Sequence, residues 1–261
     1  MIEIKRYPSD LTDSQWNLLE PMLPKSRKFG RPPTPLRTVI NGVWYLTCTG
    51  CQWRSLPHEY GPWPTIYGKF RKWKLDHTWE ALHDRLRALT RESAGKGCRP
   101  TACILDSQTV RSADHTGETG YDAAKKTKGR KRHLLVDTLG LILGVCVTPA
   151  NVPEREGAMI LLKRVLSWFV WLRVLWADTG YSGPDFAQQV RGLRPKLQVD
   201  IVPRLGNTSG FHVLRKRWIV ERTFGWLMKQ RRLVRDYEVT ESSAESLIYI
   251  SMIRIMTRRL A

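Results

Sequence analysis

The chain has 261 residues, of which 42% are hydrophobic, so it can build one large folded domain or two smaller ones. Its apolar runs are shorter than the ~18 residues of a membrane span, and its first residues lack the apolar stretch of a signal peptide, so we expect a cytoplasmic protein with no membrane-inserted segment. The formal net charge of +19 makes a polyanion the expected partner, nucleic acid first and an anionic membrane surface second.

The first ninety residues predict four short helices. Thr12 and Gln15 form a capping box at the start of the first helix, and Pro24 ends it. Apolar residues at helical spacing indicate three more helices, at 34–50, 65–75 and 78–91. Basic residues alternate with aromatic ones on the third helix, so residues 1–92 are typical of a helix-turn-helix-like DNA-binding domain. The alternative is a helical cap with a solvated charged face.

Residues 93–101 are predicted to be a linker, after which short apolar runs alternate with helical segments. Strands are predicted at 102–110, 133–136, 141–147, 174–178 and 199–202. Helices are predicted at 161–169, at 185–191 and from Arg217 through the Arg231–Arg232 pair. This order predicts an α/β fold in residues 102–261, a mixed sheet flanked by helices.

Asp178 follows an apolar run and precedes Gly180, which favours a buried strand that ends at this aspartate. Open α/β sheets place their chemistry at the carboxyl ends of strands, so Asp178 is a candidate catalytic residue. We expect Gly180 to supply the backbone freedom of a tight exit from the strand. The alternative is an aspartate that only caps the next loop or helix.

Two more acids complete a candidate site. Asp106 ends the apolar part of an earlier strand, and Glu221 lies on the long helix that carries Arg217. Three carboxylates held close together repel one another unless cations lie between them. Mg²⁺ prefers such oxygen ligands, and two ions about 3.5–4 Å apart support in-line phosphoryl transfer.

The helix around Glu221 is rich in cations. Arg217 and Glu221 are at positions i and i+4 and share a helix face, and a continuous helix would also bring Lys229 and Arg232 near that face. This arrangement would surround one carboxylate with groups that hold DNA phosphates. The alternative is an Arg217–Glu221 surface pair without a function.

Several segments occur in an order that carries a family resemblance. They are Trp53-Arg54-Ser55-Leu56-Pro57, Ile104-Leu105-Asp106-Ser107-Gln108, Gly129-Arg130-Lys131-Arg132-His133, Val136-Asp137, Thr148-Pro149-Ala150-Asn151, Ala177-Asp178-Thr179-Gly180-Tyr181 and Arg217-Trp218-Ile219-Val220-Glu221-Arg222-Thr223. With them the chain resembles, over nearly its whole length, DDE transposases of the "IS five" family of bacterial insertion sequences. In the Tyr-Arg-Glu-Lys signature of related enzymes, Arg217 and Glu221 match, whereas Leu214 and Met228 stand at the Tyr and Lys positions.

The resemblance implies a ribonuclease-H-like catalytic domain with the triad Asp106, Asp178 and Glu221, and a helical N-terminal domain. It also implies DNA cleavage at terminal inverted repeats, followed by strand transfer. Asp137 and Glu154 are rival acids, but Asp137 lies in a predicted hairpin turn, where Asp is ordinary. Glu154 lies before a predicted helix, and a negative charge there stabilises the N-terminus of the helix. We therefore rank Asp137 and Glu154 below the triad.

The sequence therefore predicts a DNA transposase that uses Mg²⁺, or Mn²⁺ in its place, bound by the triad. We expect a homo-oligomer, a dimer on paired double-stranded DNA ends, in the bacterial cytoplasm and associated with the nucleoid. The candidate phosphate contacts are Arg130, Lys131, Arg132, Arg217, Arg222, Lys229, Arg231 and Arg232. Two alternatives stay open: a metal-dependent nuclease or resolvase on the same scaffold, and a DNA-binding repressor without catalysis.

Overall fold

The computed structural model describes residues 7–24, 33–202 and 216–261. Two compact units divide the chain. The helical unit comprises the chain up to Gly95, Leu227–Val234 and Ser246–Ala261, and the sheet unit comprises Lys96–Trp226 and Arg235–Glu245. The division after Gly95 falls within the predicted linker, whereas the predicted domain 102–261 is shared between the two units.

The described ranges contain the following helices and strands. The helices are α1 (Asp13–Leu19), α2 (Leu36–Thr49), α3 (Trp63–Leu75), α4 (Thr78–Ser93), α5 (Glu154–Val165), α6 (Pro184–Leu193), α7 (Trp218–Met228), α8 (Arg231–Val234) and α9 (Glu241–Leu260). The strands are β1 (Ala102–Arg111), β2 (Gly120–Asp122), β3 (Thr127–Asp137), β4 (Ile142–Pro149), β5 (Val174–Asp178) and β6 (Gln198–Val202). None of the helices in these ranges has an apolar stretch of the length that a bilayer requires.

Helix α1 begins as its sequence predicts. The Thr12 hydroxyl accepts a hydrogen bond from the Gln15 backbone at 3.3 Å, and the Gln15 side chain accepts one from the Thr12 backbone at 3.2 Å. This reciprocal pair confirms the capping box. Helix α2 ends at Thr49 and is capped by Gly50, whose φ of +75° is a left-handed conformation that glycine adopts without strain.

Aromatic contacts explain why the C-terminal segment belongs to the helical unit. Trp44 of α2 and Trp73 of α3 are buried in its core. The ring of Tyr249 packs edge-on against His83 with centroids 5.0 Å apart, and the Arg254 guanidinium lies 5.9 Å from the Trp44 ring centroid. Because these contacts join residues that are far apart in sequence, domain boundaries predicted from chain order do not group α9 with the N-terminal helices.

The sheet unit is built on a mixed sheet with the order β6–β5–β1–β3. Strands β1, β5 and β6 are parallel, and β3 is antiparallel to β1. The other edge of β3 pairs with β2 near its start and with β4 along the rest, both antiparallel. The strand order and the packed helices confirm the predicted α/β fold and the ribonuclease-H-like arrangement.

Helices α5 and α6 pack on this sheet through an apolar core. Buried side chains from β1, β3, β4, β5, α5 and α6 contribute to it, including Leu105, Leu135, Leu143, Leu161, Leu162, Leu175, Phe186 and Val190. Each such side chain contributes about 1.5–3 kcal/mol on burial. The core therefore holds β1 and β5 in a fixed register, which positions Asp106 in β1 relative to Asp178 at the end of β5.

Strand β3 begins at Thr127, well before the strand predicted at 133–136. Arg130, Lys131 and Arg132 are therefore strand residues and are only 1%, 5% and 1% exposed. Their charges interrupt the apolar pattern from which strands are predicted, whereas partners inside the sheet unit compensate these charges.

Helix α7 ends at Met228, so the predicted continuation through Arg232 is wrong. The Gln230 backbone N donates to the Leu227 carbonyl at 2.9 Å, a turn that separates α7 from α8. Lys229 and Arg232 therefore do not follow Glu221 around one helix. Leu214, at the Tyr position of the signature, lies outside the described residues.

His133 is a fully buried residue of β3 with its Nε2 3.0 Å from the Thr148 hydroxyl oxygen. Burial, followed by the Lys131 charge, lowers the pKa of His133 from 6.5 to about 4. Between these values the unfolded chain binds a proton that the folded chain excludes. The contribution of His133 to the free energy of unfolding is therefore fully present above pH 6.5 and is lost as the pH falls toward 4.

We expect the low pKa of His133 to decrease the free energy of unfolding by about 3 kcal/mol as the pH falls from 6.5 to 4. His133→Gln keeps a polar side chain near Thr148 and should flatten the pH dependence by that amount in chemical denaturation. His115→Gln replaces an exposed histidine of the same unit and should keep the wild-type slope. A His133→Gln slope equal to that of the wild type would contradict the expectation.

Candidate active site

Two aspartates lie side by side on neighbouring strands, Asp106 in the middle of β1 and Asp178 at the end of β5. The parallel register of β1 and β5 pairs Ile104 with Trp176. Asp106 and Asp178 each follow two residues later, so both side chains lie on the same face of the sheet. The structure thus places these two predicted site residues next to each other.

The electrostatics of Asp106 confirm this proximity. Burial is the main cause that raises the pKa of Asp106 to about 6, and the charges of Asp178 and Glu154 act in the same direction. The Ser107 backbone N–H, which donates to Asp106 at 2.7 Å, and the Arg217 charge oppose the shift. The site therefore resists full ionisation, a cost that a bound cation would relieve.

Arg217 connects the third predicted acid to this pair. Its Nη2 lies 3.6 Å from Asp178 Oδ2 and 3.5 Å from Glu221 Oε1. Arg217 precedes α7, and the Glu221 backbone N donates to its carbonyl at 3.4 Å, so the first turn of the helix sets the pair's geometry. The Glu221 side chain is 56% exposed, whereas that of Asp178 is only 10% exposed.

Asp178 is also a cap. Its Oδ1 accepts from the Gly180 backbone at 2.8 Å and starts a short 3-10 turn, Thr179–Tyr181, while Oδ2 faces Arg217. Gly180 leaves room for two carboxylates and does not adopt a left-handed backbone angle. A Cβ atom at Gly180 would lie 2.9 Å from Asp178 Oδ1 and 3.2 Å from Glu154 Oε2.

A fourth carboxylate, Glu154, lies at the same place. Its Oε1 accepts from the Ser107 hydroxyl at 3.0 Å and from Lys125 Nζ at 3.1 Å. Burial, followed by the charges of Asp106, Glu154 and Asp178, raises the pKa of the buried Tyr181. One hydroxyl therefore senses all three carboxylates, which places Glu154 with the aspartates.

Sequence reasoning ranked Glu154 below the triad and did not single out Lys125. The signal for Glu154 was its position three residues after Asn151, the last residue of a segment that carries the family resemblance. The other rival, Asp137, is fully buried and accepts from the backbones of Leu139 and Leu141 at 2.8 and 2.9 Å. Asp137 therefore stabilises the β3–β4 turn.

The donor set fits a hard divalent cation. Asp106 and Asp178 supply adjacent carboxylate oxygens, and Glu221 is held near Asp178 through Arg217. Within the described ranges, no three acidic, histidine or cysteine side chains already converge on one point as a metal site.

Comparisons with known proteins identify the family. A family model described as "Putative transposase of IS4/5 family" matches residues 11–83. A second, described as "Transposase DDE domain", matches residues 97–256, more than half of the chain. The chain belongs to the DDE transposases of an IS4/5-like family. This assignment confirms the family resemblance drawn from the sequence.

Two similar curated proteins come from Burkholderia cepacia. "Insertion element IS402 uncharacterized 16.2 kDa protein" is 30% identical over 109 residues, which are 39% of this chain and 73% of the relative. "Putative transposase for insertion sequence element IS402" is 30% identical over 137 residues, which are 50% of this chain and 62% of the relative. The chain thus spans less than two thirds of the second relative.

Three cations predicted to contact DNA are buried in the sheet unit of this transposase. Arg130 donates to three backbone carbonyls at 2.9–3.1 Å, and Lys131 donates to the Val152 carbonyl at 2.8 Å. Burial lowers the pKa of Arg132 to about 10. A phosphate cannot reach these groups without disrupting the sheet unit, so we remove all three from the candidate contacts.

The other candidates differ in accessibility. Arg222 is half-buried, donates to the Leu139 carbonyl at 2.9 Å and lies 4.5 Å from the ring centroid of Trp218. Arg232 is buried and donates to the Cys51 carbonyl at 3.0 Å within the helical unit. Of the predicted contacts in the helical unit, Lys229 and Arg231 are exposed.

Proposed function

We propose that this transposase cleaves DNA at the terminal inverted repeats of its insertion sequence and joins the freed ends to target DNA. The observation that carries the proposal is the adjacency of Asp106 and Asp178, which Arg217 connects to Glu221. Membership of the DDE transposase family supports the same reaction.

Asp106, Asp178 and Glu221 are the residues that would hold Mg²⁺, or Mn²⁺ in its place. A metal held there would supply Lewis-acid chemistry, which lowers the pKa of an attacking water or DNA 3′-hydroxyl and offsets charge on the leaving oxygen. Arg217 keeps the Asp178 and Glu221 carboxylates in one ion-pair network, so helix α7 and strand β5 are linked before DNA binds.

We assign recognition of the DNA ends to the helical unit. Helix α3 buries Phe70 and Trp73 and exposes Arg71 and Lys72, so one helix face packs while cations remain free for phosphates. Lys229 and Arg231 add exposed charge to the same unit. We expect a dimer on paired ends, working on the bacterial chromosome.

The test uses duplex DNA that ends in the terminal repeats flanking the coding sequence, a target plasmid, and either Mg²⁺ or EDTA. We expect cleaved and joined products from wild type with Mg²⁺, and neither product from Glu221→Gln. Glu156→Gln changes an exposed glutamate of α5 and should remain active.

Cleavage without joining would favour a nuclease or resolvase. Specific binding of the repeats without chemistry, under Mg²⁺ or Mn²⁺, would favour a repressor. An active Glu221→Gln would remove Glu221 from the proposed triad.

Substitution of Gly180 should reduce activity without unfolding the chain. The added methyl group of Gly180→Ala would displace the Asp178 or Glu154 carboxylate, and such displacements cost roughly 10- to 100-fold in rate. Gly192→Ala is the matched control, because a Cβ atom there has no neighbouring atom within 4 Å. Single-turnover cleavage rates measure the effect, and equal rates for the two variants would contradict it.

A further inference from the structure

Lys125 lies in a loop between β2 and β3 that several hydrogen bonds hold. Its backbone N donates to Asp122 Oδ1 at 3.1 Å. Asp122 is buried, and its Oδ2 accepts from the Thr109 hydroxyl at 2.6 Å and lies 3.7 Å from Lys131 Nζ. The Thr127 hydroxyl donates to the Lys125 carbonyl at 2.9 Å. These contacts fix the loop before any ligand binds.

The Lys125 side chain extends to the carboxylates of the candidate active site. Its Nζ lies 3.1 Å from Glu154 Oε1, the oxygen that also accepts from the Ser107 hydroxyl at 3.0 Å. A Cβ atom at Gly180 would lie 2.9 Å from Asp178 Oδ1 and 3.2 Å from Glu154 Oε2, so these two carboxylates are close to each other. Glu154 therefore holds the Lys125 ammonium near Asp178.

The ammonium group keeps capacity for a ligand. The Lys125 side chain is 43% exposed, and an ammonium carries three protons, of which the contact with Glu154 uses one. Lysine acts as a point charge that binds phosphates well. A DNA strand at Asp106 and Asp178 would bring its phosphates close to several carboxylates, and a cation at the border of this site would reduce the repulsion.

Further cations continue from Lys125 along the same hairpin. Lys126 has a left-handed backbone with φ of +49°, which turns the chain after Lys125. A neighbouring cleft is lined by Arg111, Lys126 and Lys128 together with Asp114 and the exposed ring of Tyr121. A strand that passes Lys125 therefore finds more positive than negative side chains along this hairpin.

We propose that Lys125 binds a backbone phosphate of the DNA strand held at Asp106 and Asp178, and that Glu154 positions its ammonium group. This inference rests on the proposed function, since it requires DNA at the two aspartates. The simpler role for Lys125 is neutralisation of Glu154. That role predicts no effect tied to one phosphate.

The test measures binding of end-repeat duplexes in EDTA between 50 and 200 mM salt, so catalysis does not enter. The duplexes carry a neutral methylphosphonate at one position at a time around the cleavage site. The proteins are wild type, Lys125→Gln, Lys125→Arg and Lys163→Gln. Lys163 is an exposed lysine of α5, so its variant removes the same charge elsewhere on the sheet unit. Thermal unfolding of each variant checks the fold.

We expect Lys125→Gln to bind roughly tenfold more weakly near 0.1 M salt and to reduce the salt slope by about one. A methylphosphonate at one position should weaken the DNA binding of wild type and of Lys125→Arg but not that of Lys125→Gln. If Lys125→Gln matches Lys163→Gln, or if every neutral position affects it as it affects wild type, the proposal is overturned. A wild type that shows this pattern but never cleaves with Mg²⁺ would overturn only the proposed function. A wild type that does not bind the duplex would overturn both.

Discussion

Asp178→Asn should bind end-repeat DNA with wild-type affinity and cleave it about 10³-fold more slowly or worse. Asparagine keeps an oxygen in the Oδ1 position, which accepts from the Gly180 backbone at 2.8 Å, so the turn after β5 persists. What disappears is the negative charge that faces Arg217 at 3.6 Å and that would bind the metal. The loss therefore concerns chemistry and not folding.

Single-turnover cleavage at saturating DNA and Mg²⁺ measures the effect of Asp178→Asn. Asp185→Asn, at an exposed position in the first turn of α6, removes the same charge and should cleave normally. An independent readout is the rise in unfolding temperature with added Mn²⁺, which should be present in wild type and absent in Asp178→Asn. Cleavage within tenfold of wild type would exclude Asp178 as a metal ligand.

The position of Asp178 was predictable because one local pattern determines it. The apolar run before Asp178 predicts a strand, and the aspartate marks its carboxyl end. The family resemblance adds Asp106, which lies on another predicted strand. The register of β1 and β5 then follows from the packing of their apolar residues. Sequence alone could therefore indicate the pair and the fold class.

The basic residues show what a local sequence pattern does not predict. Arg130 and Lys125 are five residues apart in one basic run, yet Arg130 is buried in β3 and Lys125 is half-exposed at the carboxylates. The difference arises from partners that are distant in sequence, Asp236 for Arg130 and Glu154 for Lys125. No local periodicity encodes such pairs.

Helix α7 shows a similar limit at a boundary. Its apolar and basic residues favour helix well beyond Met228, but a turn at Gln230 ends it. Such a turn depends on the tertiary contacts of Leu227 and Leu233, both buried in the helical unit. The predicted site retained Arg217 and Glu221 because both lie at the start of the helix, where the sequence pattern and the structure agree.

Arg130→Met should destabilise the sheet unit by about 3–5 kcal/mol, because it removes one partner of a buried ion pair. Arg130 Nη1 lies 3.5 Å from Asp236 Oδ2, and both side chains are 1% exposed. The same guanidinium donates to the carbonyls of Glu238 and Val239 at 2.9 and 3.1 Å. It therefore attaches the segment before α9 to strand β3. Methionine would fill much of the space, but it would leave these carbonyls without a donor and Asp236 with Arg132 as its remaining cation.

Chemical denaturation distinguishes this structural role from the DNA contact that the basic sequence suggested. Arg191→Met, at an exposed position of α6, should change the unfolding free energy by less than about 0.5 kcal/mol. Asp236→Asn should cost less stability in the Arg130→Met background than in wild type, because Asp236 then faces only the Arg132 charge, and the asparagine keeps an oxygen for the Glu238 backbone, which donates to Asp236 Oδ1 at 2.9 Å. If Arg130→Met instead keeps the wild-type stability and weakens DNA binding, Arg130 is an exposed phosphate contact and not a buried structural residue. The burial of Arg130 and its bonds to the chain before α9 favour the first outcome.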